Sequence, residues 1–255
     1  MDMARAAVWI CTMLAAVAAT GMEAAQAGNA DQPVPFKTKA TVWLDEQGVP
    51  QQVETPEQLP LAIRQAIGAQ IKEWRFEPAT VGGQARSGVT HLMLDACAVE
   101  GAAGQLNLAL GYVYGGPMNS QNAAGLTPPP RYPVDAVRSR IQGTWMVTYE
   151  VLPDGTARWM SVDPQGDTNP KRLGYFEPAL RQWVSQLRYT PEEVDGHAIS
   201  TVVRIPVGFS LDTSPKPTSR KEEARTGREC VAAMQAESSM RTASDTQFKL
   251  ISGGS

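Results

Sequence analysis

The sequence predicts an α+β fold of two tandem strand–strand–helix–strand modules, each a small antiparallel sheet covered by one helix. Three observations carry this. Two helical stripes of apolar residues recur far apart in the chain. Each is preceded by a β-type run ending in a glycine turn. Each is followed by an aromatic–proline landmark, a second glycine turn and a further strand.

In the first copy, Thr41-Val42-Trp43-Leu44 is β-type and Asp45-Glu46-Gln47-Gly48 supplies turn residues. Val49 to Val53 returns as a second strand. Pro56 and Pro60 break the chain before Ile63, Ile67, Ile71 and Trp74, one face of an amphipathic helix. Trp74-Arg75-Phe76-Glu77-Pro78 closes the helix, Gly82-Gly83 turns, and Val89 to Leu94 reads as a strand that leads to Cys97. Leu106, Leu108, Leu110, Tyr112 and Tyr114 alternate as one more strand.

The second copy repeats the order. Met146 to Val151 is a strand, Pro153-Asp154-Gly155 a hairpin turn, and Thr156 to Val162 the return. Phe176, Leu180, Trp183, Val184 and Leu187 form the helical stripe. Arg188-Tyr189-Thr190-Pro191, Asp195-Gly196 and a long strand from Ser200 to Leu211 follow. Gly48 aligns with Gly155, Pro78 with Pro191 and Gly83 with Gly196, at the same proline-to-glycine spacing.

The resulting organisation is a signal peptide over 1–27, a lead over 28–38, the first module over 39–114 and a Gly/Pro-rich linker over 115–130. The second module covers 131–211, and a linker, short helix and tail occupy 212–255. The helix falls over Arg228 to Met240, and Phe248 to Ile251 reads as an apolar tail that docks as an edge strand.

The first segment has the parts of a secretory signal: Arg5, an apolar core from Ala6 to Ala19, and Ala25-Gln26-Ala27 as a cleavage pattern. The rival reading is a retained inner-membrane anchor facing the periplasm. A periplasmic location is the expectation. There two cysteines remain after cleavage, Cys97 and Cys230, and an oxidising compartment favours their pairing as a disulfide. The chain-entropy model allows up to ~5 kcal/mol for so long a loop.

Composition argues against several functions. The net charge of -3, with signs interspersed, gives no basic face for nucleic acid or an anionic membrane. Neither His91 nor His197 has a second histidine or cysteine at ligand spacing, so no metal is expected, and both read as solvated or half-buried. Glu192 and Glu193 are adjacent and read as a solvated turn, not an acid/base pair. No nucleophile elbow or phosphate-binding loop is present, so no catalytic residues, cofactor or small-molecule substrate are expected. Trp74 and Trp183 read as core.

Residues 131–211 resemble the TonB C-terminal domain family. The shared pattern is Tyr132-Pro133 with Ala136, Ile141-x-Gly143, Pro153-Asp154-Gly155, Phe176-Glu177, Leu187-Arg188-Tyr189-x-Pro191, Gly196, and Val202 to Phe209. Residues 39–97 resemble it as a degenerate second copy, without the Tyr-Pro start. The resemblance implies a periplasmic binding module that pairs an edge strand with an extended peptide of an outer-membrane transporter or other envelope protein. The docking residues it implies are Arg131 and Tyr132, ahead of the first strand, and Thr201, Val203, Arg204, Ile205 and Val207 on the last. One module can instead occupy that edge of the other, and self-association is a further outcome. The alternative is an atypical energy transducer for outer-membrane, siderophore-type transport with the anchor retained. The first segment carries no histidine, and residues 28–36, extended, reach only ~28 Å at ~3.1 Å per residue, so the binding role is favoured.

Overall fold

Phe36, Thr38, Ala40, Val42 and Leu44 share one face of strand β1 (Val34–Leu44), which begins ahead of residue 39. The computed structural model describes residues 33–100, 106–122, 125–211, 227–237 and 242–253. The signal and anchor readings for residues 1–27, and the polar linker after Leu211, lie outside the described residues.

β1 turns through Asp45–Gly48 into β2 (Pro50–Glu54). Helix α1 (Leu61–Lys72) follows and buries Ile63, Ile67 and Ile71 against the sheet. Each buried isoleucine contributes roughly 1.5–3 kcal/mol. That outweighs the cost of about 1 kcal/mol for Gly68 in the helix interior. Short strand β3 (Arg75–Phe76), the hairpin β4 (Ala79–Val81) and β5 (Gln84–Arg86), and the long strand β6 (Gly88–Glu100) complete the path. β1 lies between β2 and β6. β7 (Leu106–Gly116) pairs with β6 from His91 onward.

Within residues 115–130, read as linker, β8 (Met118–Asn119) forms, and helix α2 (Val134–Arg138) lies just after them. β9 (Gly143–Val151) and β10 (Ala157–Gln165) are the second hairpin. A 3-10 turn, Pro170–Tyr175, leads into α3 (Glu177–Gln186). Pro178 falls in the first turn of α3, where its missing N–H has no partner to lose. Leu180, Trp183 and Val184 are buried on Trp145, Val147 and Tyr149. On the outer side the Arg181 guanidinium sits 4.6 Å over the Trp159 ring, tying α3 to β10. Then come β11 (Tyr189–Thr190), β12 (Glu193–Val194), β13 (His197–Ala198) and β14 (Thr201–Phe209). β9 lies between β10 and β14, so both modules have the first strand of the hairpin at the centre of the sheet.

The turn contacts also match. The Phe76 N–H donates to the Gly48 carbonyl at 3.0 Å, and the Tyr189 N–H to that of Gly155 at 2.8 Å. Arg75 donates to the Lys72 and Trp74 carbonyls, Arg188 to those of Ser185 and Leu187.

Both modules lie in one compact unit, and three devices join them. The hairpin of β12 and β13 adds to the first sheet, with Glu193 opposite Val89 and Val194 opposite Gly88. β8 pairs with β11. The tail crosses both. Helix α4 (Gly227–Glu237) covers the face of the first sheet opposite α1, where Cys230 forms a disulfide with Cys97. β15 (Ala243–Ser244) pairs with β14 of the second module. Phe248 is 0% exposed in the first module's core, and β16 (Leu250–Ser252) pairs with β3.

Two readings of single residues are corrected. Glu192 is not in a solvated turn: it is 0% exposed, because hydroxyls from three segments replace its water. His91 is buried, since module two covers its face of β6.

Candidate functional site

β14 is paired on one side along its whole length by β9 and on the other only by β15. Backbone direction decides which of its groups face outward. The Asp245 N–H donates to the Val202 carbonyl at 2.8 Å, so Val202, Arg204, Pro206 and Gly208 point their backbone groups away from β9. Pro206, with no N–H, therefore stands where a strand tolerates proline, on the free side.

Side chains alternate the other way. Thr201, Val203 and Val207 are buried, with Ile205 half-buried, on the α3 side; Arg204 is exposed. Of the expected docking residues, Val203, Ile205 and Val207 thus act in the core, and what the strand offers outward is its backbone and Arg204. Arg204 is opposite Ala243 and Val203 opposite Ser244, so the chain's own tail occupies that stretch of edge.

Tyr132 and Arg131 lie at the far end of the strand. The Tyr132 ring packs edge-on against Phe209 at 5.2 Å and its hydroxyl donates to the Ile141 carbonyl at 2.7 Å. Arg131 is exposed beside it. The preceding prolines are held to α3 by the Trp183 Nε1, which donates to the Pro128 carbonyl at 2.7 Å. Thr201 is at the opposite end and donates to Glu192 Oε2 at 2.9 Å.

Glu192 gathers three hydroxyls: Thr90 from β6 at 2.6 Å, Thr201 from β14, and Thr246 from the tail at 2.5 Å. Burial pushes its carboxyl above the usual range, and the three donors oppose that without cancelling it. His91 sits one residue after Thr90. Its Nε2 donates to the Pro191 carbonyl at 3.1 Å while Nδ1 accepts from Thr41 at 3.1 Å, an assignment made by that network. Burial holds its pKa below the usual value.

Beside the outer edge of β14 is a cavity of about 320 Å³. Its walls include Lys37, Met93 and Tyr114 of the first sheet, Met118 of β8, and Tyr149, Tyr189 and Ile205 of the second module. The Tyr149 and Tyr189 hydroxyls bond to one another, and Thr127 reaches Tyr189 at 3.1 Å. Burial raises the pKa of both tyrosines. The tail's Thr242 is on the cavity wall.

Cys97 and Cys230 are joined, so neither is a free thiol. Asp95, two residues before Cys97, is paired with Lys37 at 2.5 Å. Among the described residues no three His, Cys, Asp or Glu side chains are grouped as a metal ion requires, and no helix is long and apolar enough to cross a membrane.

Sequence reasoning missed Glu192, Thr242 and the β15 residues. β15 is too short and too polar for a period-two signal.

The second module is thus a small antiparallel sheet with one covering helix, ending in a strand whose outer edge takes a short added strand from the same chain. Residues 128–211 match the family described as Gram-negative bacterial TonB protein C-terminal. That stretch, a minority of the chain, is therefore similar to the TonB C-terminal domain. The match takes in Pro128–Pro130 and stops at residue 211; the likeness of the first module to it is one of geometry. No curated protein matches the chain.

Proposed function

We propose that this chain is a periplasmic TonB-like binding protein that pairs the outer edge of β14 with an extended segment of an envelope partner. The observation that carries this is β15: the edge already accepts an antiparallel strand at Val203 and Arg204. Two other outer edges are less suited. β10 has a register shift between Trp159 and Ser161 and carries Arg158, Asp163 and Pro164, all features that discourage pairing. β2 is short.

A photo-crosslinking amino acid at Arg204, whose backbone faces outward, tests the reading in cells. Crosslinks to one envelope protein, absent when the same probe replaces Arg158, are expected. Crosslinks only to the chain's own tail would overturn it. Cell fractionation accompanies this: a periplasmic chain beginning near Gly28 is expected. A chain that keeps residues 1–27 in the inner membrane would favour an energy transducer instead.

A further inference from the structure

We propose that the cavity beside Ile205 is a socket for one bulky apolar side chain of the partner's strand, and that β15 is a place-holding strand which that partner displaces. The proposal rests on β14 being the docking edge.

The register makes the argument. Val203 is opposite Ser244 and Arg204 opposite Ala243, so the next position, Ile205, faces Thr242. Directly opposed residues in an antiparallel pair share a face. Thr242 and Ser244 therefore point to the same side, Ser244 toward the Gly115 carbonyl of β7 and Thr242 onto the cavity wall.

The placeholder is made of small residues, Thr242, Ala243 and Ser244, and leaves about 320 Å³ unfilled beneath it. That is the low end of small-ligand sites, ~300–1,000 Å³, and ample for one leucine or phenylalanine side chain. The walls suit such a side chain. Met93 and Met118 adapt in shape, and Tyr114, Tyr149 and Ile205 add ring and aliphatic surface. The Tyr149 and Tyr189 hydroxyls bond one another and Thr127, Tyr114 donates to the Pro117 carbonyl, Lys37 pairs with Asp95 and Asn119 donates to Gln121, so these wall groups keep partners beside an apolar guest. Backbone pairing confers general affinity, and a pocket for an alternate side chain confers selectivity. Here the first module supplies part of that pocket, through Met93 and Tyr114, which gives the module a role in recognition.

The test uses the full chain carrying Ala243→Pro, which removes the N–H that β15 directs at Arg204. The probes are synthetic peptides copying residues 240–247 with alanine, leucine or phenylalanine at the Thr242 position. Leucine and phenylalanine peptides are expected to bind roughly tenfold tighter than alanine or more, from the extra buried methylene surface. Adding Ile205→Trp, which fills the cavity, is expected to bring the ratio near one, and a leucine-to-alanine ratio unchanged by it would count against the socket. Equal affinities in the Ala243→Pro chain would overturn the socket and leave edge pairing standing. Binding of none of the peptides would overturn edge pairing itself. A second measurement needs no peptide: Thr242→Leu in the otherwise unaltered chain is expected to raise Tm by about 3 °C or more. An unchanged or lower Tm counts against the socket.

Discussion

Gly155 and Tyr189 clasp the hairpin of the second module to the end of its helix, the Tyr189 N–H donating to the Gly155 carbonyl at 2.8 Å. Gly155 has φ +80, and a Cβ there would stand 2.3 Å from the Tyr189 carbonyl oxygen. Gly196 also has positive φ, +74, but open space around it.

Gly155→Ala is therefore expected to cost more than Gly196→Ala. The left-handed backbone alone costs roughly 1–2 kcal/mol for a residue with a Cβ; the clash adds to that only at Gly155. Urea midpoints of the two variants check the order, and equal losses would contradict the clasp.

Glu192 makes stability depend on pH in a stated direction. Its folded pKa is raised, so between the ordinary carboxylate value and the raised one the native state binds more protons than the unfolded state. Its contribution is present in full below the ordinary value and is lost as pH rises through the folded one. Glu192→Gln is expected to remove that slope with little cost at neutral pH. Glu192→Ala, leaving three buried hydroxyls short of a partner, is expected to cost about 2–4 kcal/mol. Urea unfolding across pH 4 to 8 reads both.

His91 works in the opposite sense. Burial is the main cause of its lowered pKa, with Lys39 adding to it and the Pro191 carbonyl and Glu193 opposing. The unfolded state binds the proton first, so stability is full above the usual imidazole value and falls as pH drops below it. His91→Gln is expected to flatten the loss between roughly pH 7 and pH 5. An unchanged slope would show that His91 does not titrate in that range.

The Cys97–Cys230 bond closes a loop with a sequence separation of 133. Loop entropy allows up to about 5 kcal/mol for such a crosslink. Cys230→Ser is expected to lower the denaturant midpoint and to abolish its sensitivity to reductant. A reductant effect that persists in the variant would contradict the pairing.

Much of the fold was legible because its signals are local. Ile63, Ile67 and Ile71 announce α1 by spacing, and Gly48 and Gly155 mark turns that only positive φ can make. Two cysteines in a sequence read as exported pointed to their own pairing. The strand Thr201–Phe209 was legible too, as was the burial of Trp74 and Trp183. Glu192 was not, because its donors lie 102, 9 and 54 residues away and nothing beside it in the chain signals them. The place of the hairpin Glu193 to Ala198 was hidden for a related reason. Its counterpart β4 and β5 pair only with each other, whereas β12 finds the free end of β6. The β15 edge contact depends on two small residues that follow no pattern.

Phe248 sets an order of events. Ribosomes deliver residues 34–116 early, yet the interior of that first module stays incomplete until Phe248, made much later, is inserted and β16 settles on β3. The half made first is the half finished last. A nascent chain stalled short of residue 248 carries a first module with an open interior, so protease resistance of that half reports that Phe248 has been made and seated.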